Sequence, residues 1–539
     1  MSSPAAVDAP PARPRGAQGT VRRVIVFTIL FVLVIIAASG ISGLLGRLLE
    51  TRPEFGDGAG GLALSLAFTV IGGTLAVVVW WFVWRRLDGD DRSSVAWGLY
   101  LAAMSFVSLA IFTVAALSCA ADAVAGRWSP DALAVGITWL AVWIAHRLMR
   151  ANSTRSPLRL TTVPAVLGAA FGLIVGATGA IRVLSSLFDE ALMVGAAAGS
   201  SWWMQALQSL VWALGGALVW WWHWAQERAR LLDGGLADVM LVLSGVLLAG
   251  ATAVGGVGTA LYVGLRVVAD RSDPWRDLLD PLALALAAAA VGLIVWMYHR
   301  RIAAERSAGV RAAARLVEAG IGLVAAASGV GVVVNALLAG VTTPLAGTDG
   351  RSLLLGGLAS ILVGAPLWWV AWRPNRAASD AGAAGRRVYL IAVFGVSAIV
   401  AIVAVLVVGY RIFEFALDSS GESIIERIRA PFGLLLATGL VSAYHFSVWR
   451  HDRQAAPQVA TARRIERIIL VSAGGEELSS AVRAVTGAGV THWEPADVGA
   501  PSASVSSEAV VEALEGIVAR RVLVVVSAAG EVQVIPLAD

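Results

Sequence analysis

Up to residue 449, apolar and polar residues are sorted along this chain into long blocks. Twelve mainly apolar stretches run at 24–46, 61–83, 95–118, 131–148, 160–186, 205–225, 236–266, 280–299, 314–339, 353–372, 388–412 and 431–449, separated by segments most of which carry arginine. A helix needs roughly 20 mostly apolar residues to cross the hydrocarbon core of a bilayer. Each stretch is therefore expected to be a transmembrane helix. Several are rich in Gly and Ala, which suits close helix contact in lipid.

The ends of every second stretch share a pattern. They read Trp81-Phe82-Val83-Trp84-Arg85, Trp143-Ile144-Ala145-His146-Arg147, Trp220-Trp221-Trp222-His223-Trp224, Trp296-Met297-Tyr298-His299-Arg300, Trp369-Val370-Ala371-Trp372-Arg373 and Tyr444-His445 with Trp449-Arg450. The markers Trp84, His146, His223, His299, Trp372 and His445 stand 62, 77, 76, 73 and 73 residues apart. A near-constant period is the signature of an array of one supersecondary unit. The expected fold is an all-α polytopic membrane protein of twelve transmembrane helices, arranged as six tandem parallel two-helix repeats at about 21–92, 93–157, 158–233, 234–308, 309–383 and 384–453.

Composition agrees. The chain is 58% hydrophobic and 14% charged, with mean hydropathy +0.76, outside the soluble globular range. All 41 strongly basic residues are arginine, so chemistry that depends on a lysine is excluded. Cys119 is the single cysteine, which excludes an intrachain disulfide and a cysteine metal cage. Residues 1–20 are Pro/Ala-rich and polar and read as a disordered tail. The first apolar stretch is long and starts late for a cleaved signal, and reads as a retained span.

Arginine placement sets the orientation. Loops after the even-numbered stretches hold 18 arginines and the opposite loops and helix ends 11, so the former, with both termini, are expected in the cytoplasm of a bacterium, with the protein in its inner membrane. The basic excess lies at span edges, so no nucleic-acid partner is expected; membrane lipids are. Two spans per repeat make every hairpin face the same way, unlike inverted repeats with an odd number of spans.

These residues carry a resemblance. Starts such as Arg387-Val388-Tyr389, ends on a Tyr/Trp–His–Trp edge, and the run Arg429-Ala430-Pro431-Phe432-Gly433-Leu434 on to Tyr444-His445 and Trp449-Arg450 resemble the bacterial multi-pass membrane family catalogued as domain of unknown function 5671. The resemblance extends over roughly 20–453 as tandem copies, and implies multi-pass architecture without an established activity. Copies one and five depart from it, with Trp84 and Trp372 in place of histidine.

Two constellations could carry chemistry. His146, His223, His299 and His445 share one depth, and histidines on facing helices can ligate haem. Tryptophan, which ligates no metal, holds the same place at Trp84 and Trp372. The six are therefore expected to form an interfacial belt, with no cofactor and no metal. Arg182, Arg266 and Arg411 lie near the opposite ends of their spans, each followed by acids: Asp189 and Glu190, Asp270, and Glu414 with Asp418. Local pairing is the leading expectation for these, Arg411 with Glu414 above all, and a pathway lined by arginines the alternative. Asn335 takes a similar depth in the fifth copy, and Glu318 near Arg315 reads as an interfacial pair.

After a linker at 454–462, residues 463–539 read as a small soluble α/β domain. Strands are expected at Ile468–Ser472, Val490–Glu494, Val522–Ser527 and Val532–Pro536, and helices at Glu476–Thr486 and Ser507–Arg520. The Ser472-Ala473-Gly474-Gly475 turn lacks a phosphate-loop motif, and Glu476 and Glu477 would repel a phosphate. His492 beside Trp493 reads as a strand face, and no catalytic triad or carboxylate pair has usable spacing. The expectation is a non-enzymatic membrane scaffold or sensor whose tail, 463–539, meets a cytosolic protein; a transporter or channel is the alternative, and a lipid-modifying enzyme comes third.

Overall fold

A computed structural model describes residues 17–50, 58–87, 89–192, 202–270, 273–341, 350–373, 380–417, 423–455, 465–472, 475–494, 505–514, 517, 519–527 and 529–537. Most of the tail at 1–20, most of the linker at 454–462, the Ala473–Gly474 turn and the side chains of Glu476 and Glu477 lie outside them. The chain divides into two compact units, Met1–His445 and Phe446–Asp539.

The first unit is helical. Its helices are α1 (Ala17–Leu49), α2 (Ala59–Arg86), α3 (Val95–Val124), α4 (Pro130–Ala151), α5 (Val163–Ala191), α6 (Trp202–Trp221), α7 (Gly235–Ala269), α8 (Trp275–Glu305), α9 (Ala308–Ala339), α10 (Gly350–Trp372), α11 (Asp380–Leu417) and α12 (Ile424–Ala455), the last running on into the second unit. Helix is the form in which an apolar segment satisfies its own backbone groups inside lipid. Ser94 and Ser307 cap α3 and α9 by accepting from the Trp97 and Val310 amides. Pro130 and Pro164 sit in the first turns of α4 and α5, where a missing N–H costs nothing.

Among the described residues eleven helices are long and apolar enough to cross a membrane. The twelfth expected segment is present as α6, 20 residues long. Its tryptophans, with Gln205 and Gln208, keep its mean hydropathy below that of the others.

Helices meet at small residues. A Cβ on Gly176 of α5 would stand 2.9 Å from the Ala217 amide of α6, one on Gly256 of α7 2.6 Å from the Ala285 carbonyl of α8, and one on Gly329 of α9 2.6 Å from the Gly357 carbonyl of α10. Between hairpins a second contact recurs: α1 packs on α4, α3 on α6, α5 on α8 and α7 on α10. On α9, Gly331 faces Gly433 of α12, with 3.1 Å between its would-be Cβ and the Gly433 carbonyl. The first helix of one hairpin thus lies on the second helix of the next. Phe27, Leu30, Trp97, Tyr100, Leu101, Met104 and Trp139 form the core joining α1, α3 and α4.

In the second unit, β1 (Arg467–Val471), α13 (Gly475–Thr486), β2 (Gly489–Trp493), α14 (Ser507–Leu514), β3 (Arg521–Val526) and β4 (Val532–Leu537) build one sheet in the order β2-β1-β3-β4. β1 runs parallel to both neighbours, and β3 and β4 are antiparallel, with Val522 opposite Pro536. α14 ends at Leu514, earlier than the Arg520 expected. Gly487 (φ +68) ends α13 and Gly530 (φ +83) turns the last hairpin, both in the left-handed region. Ile468, Leu470, Val482, Val510, Val522 and Val524 are the buried core.

Candidate functional site

The four marker histidines of the first unit are held alike. Each Nδ1 lies 2.8 Å from the carbonyl four residues earlier: Val142 for His146, Val219 for His223, Val295 for His299 and Val441 for His445. A carbonyl only accepts, so Nδ1 carries the hydrogen and Nε2 presents its lone pair. All four rings are buried, none more than 4% exposed.

The interfacial belt expected of the markers is therefore corrected. His146, His223, His299, His445 and Trp372 point between helices, and Trp84, half-buried, stacks on Trp80 at 5.6 Å. Tryptophans one turn away instead carry the arginines that close these helices. Arg85 lies over Trp81, Arg147 over Trp143, Arg300 over Trp296 and Arg373 over Trp369, at 4.2, 5.4, 6.0 and 5.7 Å from the ring centres. Trp81 and Trp369 are exposed.

What each Nε2 meets differs. His146 accepts from the Tyr100 hydroxyl at 3.0 Å. His223 lies 4.0 Å from a Glu227 carboxylate oxygen. His299 sits on Gly245 and against the Trp224 ring, 5.4 Å between centroids. His445 Nε2 has no hydrogen-bond partner among the described residues; its ring lies between Trp372 and Tyr389, at 5.8 and 5.9 Å. His223 falls in a π-helical turn, Trp222–Gln226, and Gly245 in another, Leu241–Leu248; such turns rotate side chains off the regular helical face. Among the described residues no three His, Cys, Asp or Glu side chains gather as a metal site requires.

At this same end, polar bonds tie one hairpin to the next. Arg147 pairs with Glu227 at 2.7 Å, while Arg23 with Asp91 at 2.6 Å closes the first hairpin on its own final loop. Trp224 Nε1 donates to the Tyr298 hydroxyl at 2.8 Å and Trp372 Nε1 to that of Tyr444 at 3.0 Å. Arg306 reaches Asp233 and the Arg230 carbonyl. Glu318, buried, takes Arg300 at 3.1 Å and Trp296 Nε1 at 3.2 Å, both on the preceding hairpin, and Arg315 adds its charge from further away.

The arginines of the opposite end are not brought together. Arg182 is exposed. Arg266 binds Asp270 at 3.3 Å and Asp273 at 2.5 Å. Arg411 binds Glu414 at 2.7 Å, and Arg427 shares that carboxylate at 3.6 Å. Asn335 accepts from Arg429 at 2.8 Å.

Two cavities had no signal in the sequence. One, about 720 Å³, lies among α9, α11 and α12; its walls are apolar except for Ser328, Asn335, Ser397 and Thr438. The other, about 360 Å³, is lined by Arg147, Arg150, Ser156, Pro157, Thr161 and Glu227. In the second unit His492 Nε2 lies 2.9 Å from the Ser472 carbonyl and 3.2 Å from its hydroxyl, a bond between neighbouring strands.

No curated protein and no solved structure matches the chain. A family model described as a domain of unknown function matches residues 23–145 and 314–440. Each matched segment contains a pair of hairpins. The resemblance expected over all of 20–453 is thus narrowed, since hairpins three and four lie between the matches. Trp84 and Trp372 fall at one place in the two segments, within Trp80-Trp81-Phe82-Val83-Trp84-Arg85 and Trp368-Trp369-Val370-Ala371-Trp372-Arg373, while His146 and His445 follow just beyond their ends. The two hairpins that end on tryptophan, one and five, are thus the ones that open a matched segment. The apolar, multi-pass part of this chain carries the domain of unknown function DUF5671 twice in tandem, as residues 23–145 and 314–440.

Proposed function

We propose that this chain is a non-enzymatic integral membrane protein, a scaffold or sensor whose C-terminal α/β domain meets a cytosolic partner. In this reading α1 to α12 all span a bacterial inner membrane as six hairpins of one orientation, with both termini in the cytoplasm. The recurring contact of one hairpin's first helix with the next hairpin's second supports an array of like units, stabilised between nearest neighbours.

The close backbone approach of the helices carries the scaffold reading. Pairs such as Gly176 with Ala217 and Gly331 with Gly433 close the space between neighbours. Arg266 and Arg411 are neutralised locally by carboxylates instead of facing a common axis.

A transporter with a pathway between hairpins has one feature in its favour, the cavity of about 720 Å³ among α9, α11 and α12. Its apolar walls suit an acyl chain better than an ion or a polar solute. The test is flux across vesicles holding the purified full chain. Potassium, chloride and proton leak should equal that of protein-free vesicles. A leak that Ala327→Trp, which fills the cavity, abolishes would replace the scaffold with a transporter.

A further inference from the structure

We propose that the pocket beneath the loop at 152–162 is a phosphate site, which takes the headgroup phosphate of an anionic phospholipid. The inference rests on the reading of these helices as membrane spans; it is indifferent to scaffold or transporter.

The pocket is assembled from three directions. Arg147 and Arg150 are three apart at the end of α4 and share a face of it. Ser156, Pro157 and Thr161 come from the loop, and Glu227 from the end of the π-helical turn after α6. The loop wall is fixed in place. Arg92 Nε donates to the Ser156 carbonyl at 2.9 Å, and Trp97 Nε1 to the Arg155 carbonyl at 3.1 Å. Asn152 Oδ1 accepts from the Thr154 and Arg155 amides at 3.0 and 3.1 Å. A wall held this way needs no ordering when a ligand arrives.

Its charges are unequal. Arg147 and Glu227 neutralise one another at 2.7 Å, and the Arg147 guanidinium is further held between the Trp143 and Trp222 rings at 5.4 and 5.2 Å. Arg150 is half-buried and, among the described residues, makes no hydrogen bond and has no carboxylate within 4 Å; the Glu227 charge, already taken by Arg147, acts on it from further away. A guanidinium offers five N–H donors in a planar fork, which suits two phosphate oxygens at once. Thr161 stands immediately before the N-terminal turn of α5, whose dipole favours an anion there. The site lies at the arginine-rich end of the helices, where lipid phosphates lie, and basic pockets between spans on that side bind anionic headgroups.

The test uses the purified full chain in nanodiscs of phosphatidylcholine with increasing phosphatidylglycerol. Tm should rise with the anionic lipid, and Arg150→Gln should raise the lipid fraction needed for half that rise by about fivefold, the weight of one arginine near a membrane surface. Thr161→Glu, which keeps Arg150 and adds a carboxylate to the pocket, should do the same, and covers the case in which Arg150→Gln folds poorly. Arg301→Gln, on the exposed end of α8, should change nothing. Equal loss in Arg150→Gln and Arg301→Gln, or no loss in either, overturns the site. In pure phosphatidylcholine, an Arg150-dependent rise on adding sodium phosphate in place of sodium chloride keeps the phosphate site but overturns the headgroup as its source. Failure of the membrane reading would show separately, as a chain absent from the membrane fraction.

Discussion

Trp372 Nε1 donates to the Tyr444 hydroxyl at 3.0 Å, joining the end of α10 to α12 across the boundary between hairpins five and six. Trp224 and Tyr298 repeat the bond between hairpins three and four. Trp372 is 1% exposed, so its N–H finds no water when the acceptor is removed. We expect Tyr444→Phe to cost about 1–3 kcal/mol, the desolvation of a stranded donor. The readout is the Tm of the full chain in detergent. Trp372→Phe added to Tyr444→Phe should recover most of the loss; additive losses would show that the two side chains do not act as a pair.

His146 and His445 hold equivalent places beside Tyr100 and Tyr389, but their Nε2 atoms are not equally used. His146 accepts from the Tyr100 hydroxyl, while His445 Nε2 is buried with no partner among the described residues. Replacing His146 by Phe strands the hydroxyl and should lower stability by about 1–3 kcal/mol. Replacing His445 by Phe removes an unsatisfied polar atom and should be neutral or stabilising. Equal losses in denaturation of the two variants would place a partner on His445.

The spans were legible because their signal is a run of apolar residues, which needs no knowledge of neighbours. The segment expected at 131–148 is helix Pro130–Ala151, and that at 353–372 is Gly350–Trp372. The facing of His146 or His223 was not legible. A helix apolar all round has no amphipathic stripe to show which side turns inward. Depth was set by the repeat, but rotation was set by Tyr100, Gly168 and Gly245 on other helices. Arg147 and Glu227, 80 residues apart, form a pair no local pattern suggests. The phosphate pocket was hidden for a third reason: its wall depends on a loop conformation with Leu160 at φ +58, which composition leaves unstated.

Glycines in these helices divide into those with a backbone against them and those facing open space. At Gly216 a Cβ would run into the Gly176 backbone, whereas Gly258 has nothing within 4 Å. We expect Gly216→Leu to separate α5 from α6 and abolish a folded, monodisperse protein on size-exclusion chromatography. Gly258→Ala should be harmless or add up to about 1 kcal/mol through helix propensity. Equal tolerance at both positions would contradict the close contact of α5 with α6.

The proposed orientation rests on arginine bias and can be tested chemically. On a Cys119→Ser background, Ala151→Cys and Glu305→Cys, both exposed at the arginine-rich end, should react with a membrane-impermeant maleimide only after the cells are opened. Arg127→Cys, in the loop between α3 and α4, should react in intact cells. Reversal of the two patterns would turn the protein over in the membrane.

Leu470 lies on β1, the strand flanked by parallel β2 and β3, and is fully buried. A sheet of four strands with two helices has a small core, and a domain of this size has little stability to spare. Removing a buried leucine side chain costs about 2–5 kcal/mol through lost burial and the cavity left behind. Leu470→Ala in the full chain should therefore expose residues 465–537 to a protease at concentrations that leave the parent protein intact. Val485→Ala, at a position 66% exposed on α13, should leave the digestion unchanged. Because the helices up to His445 form their own compact unit, their thermal transition should not move in either variant. A fall in that transition with Leu470→Ala would show that the two units unfold together, and the C-terminal domain would then be a structural part of the bundle instead of a module available to a cytosolic partner.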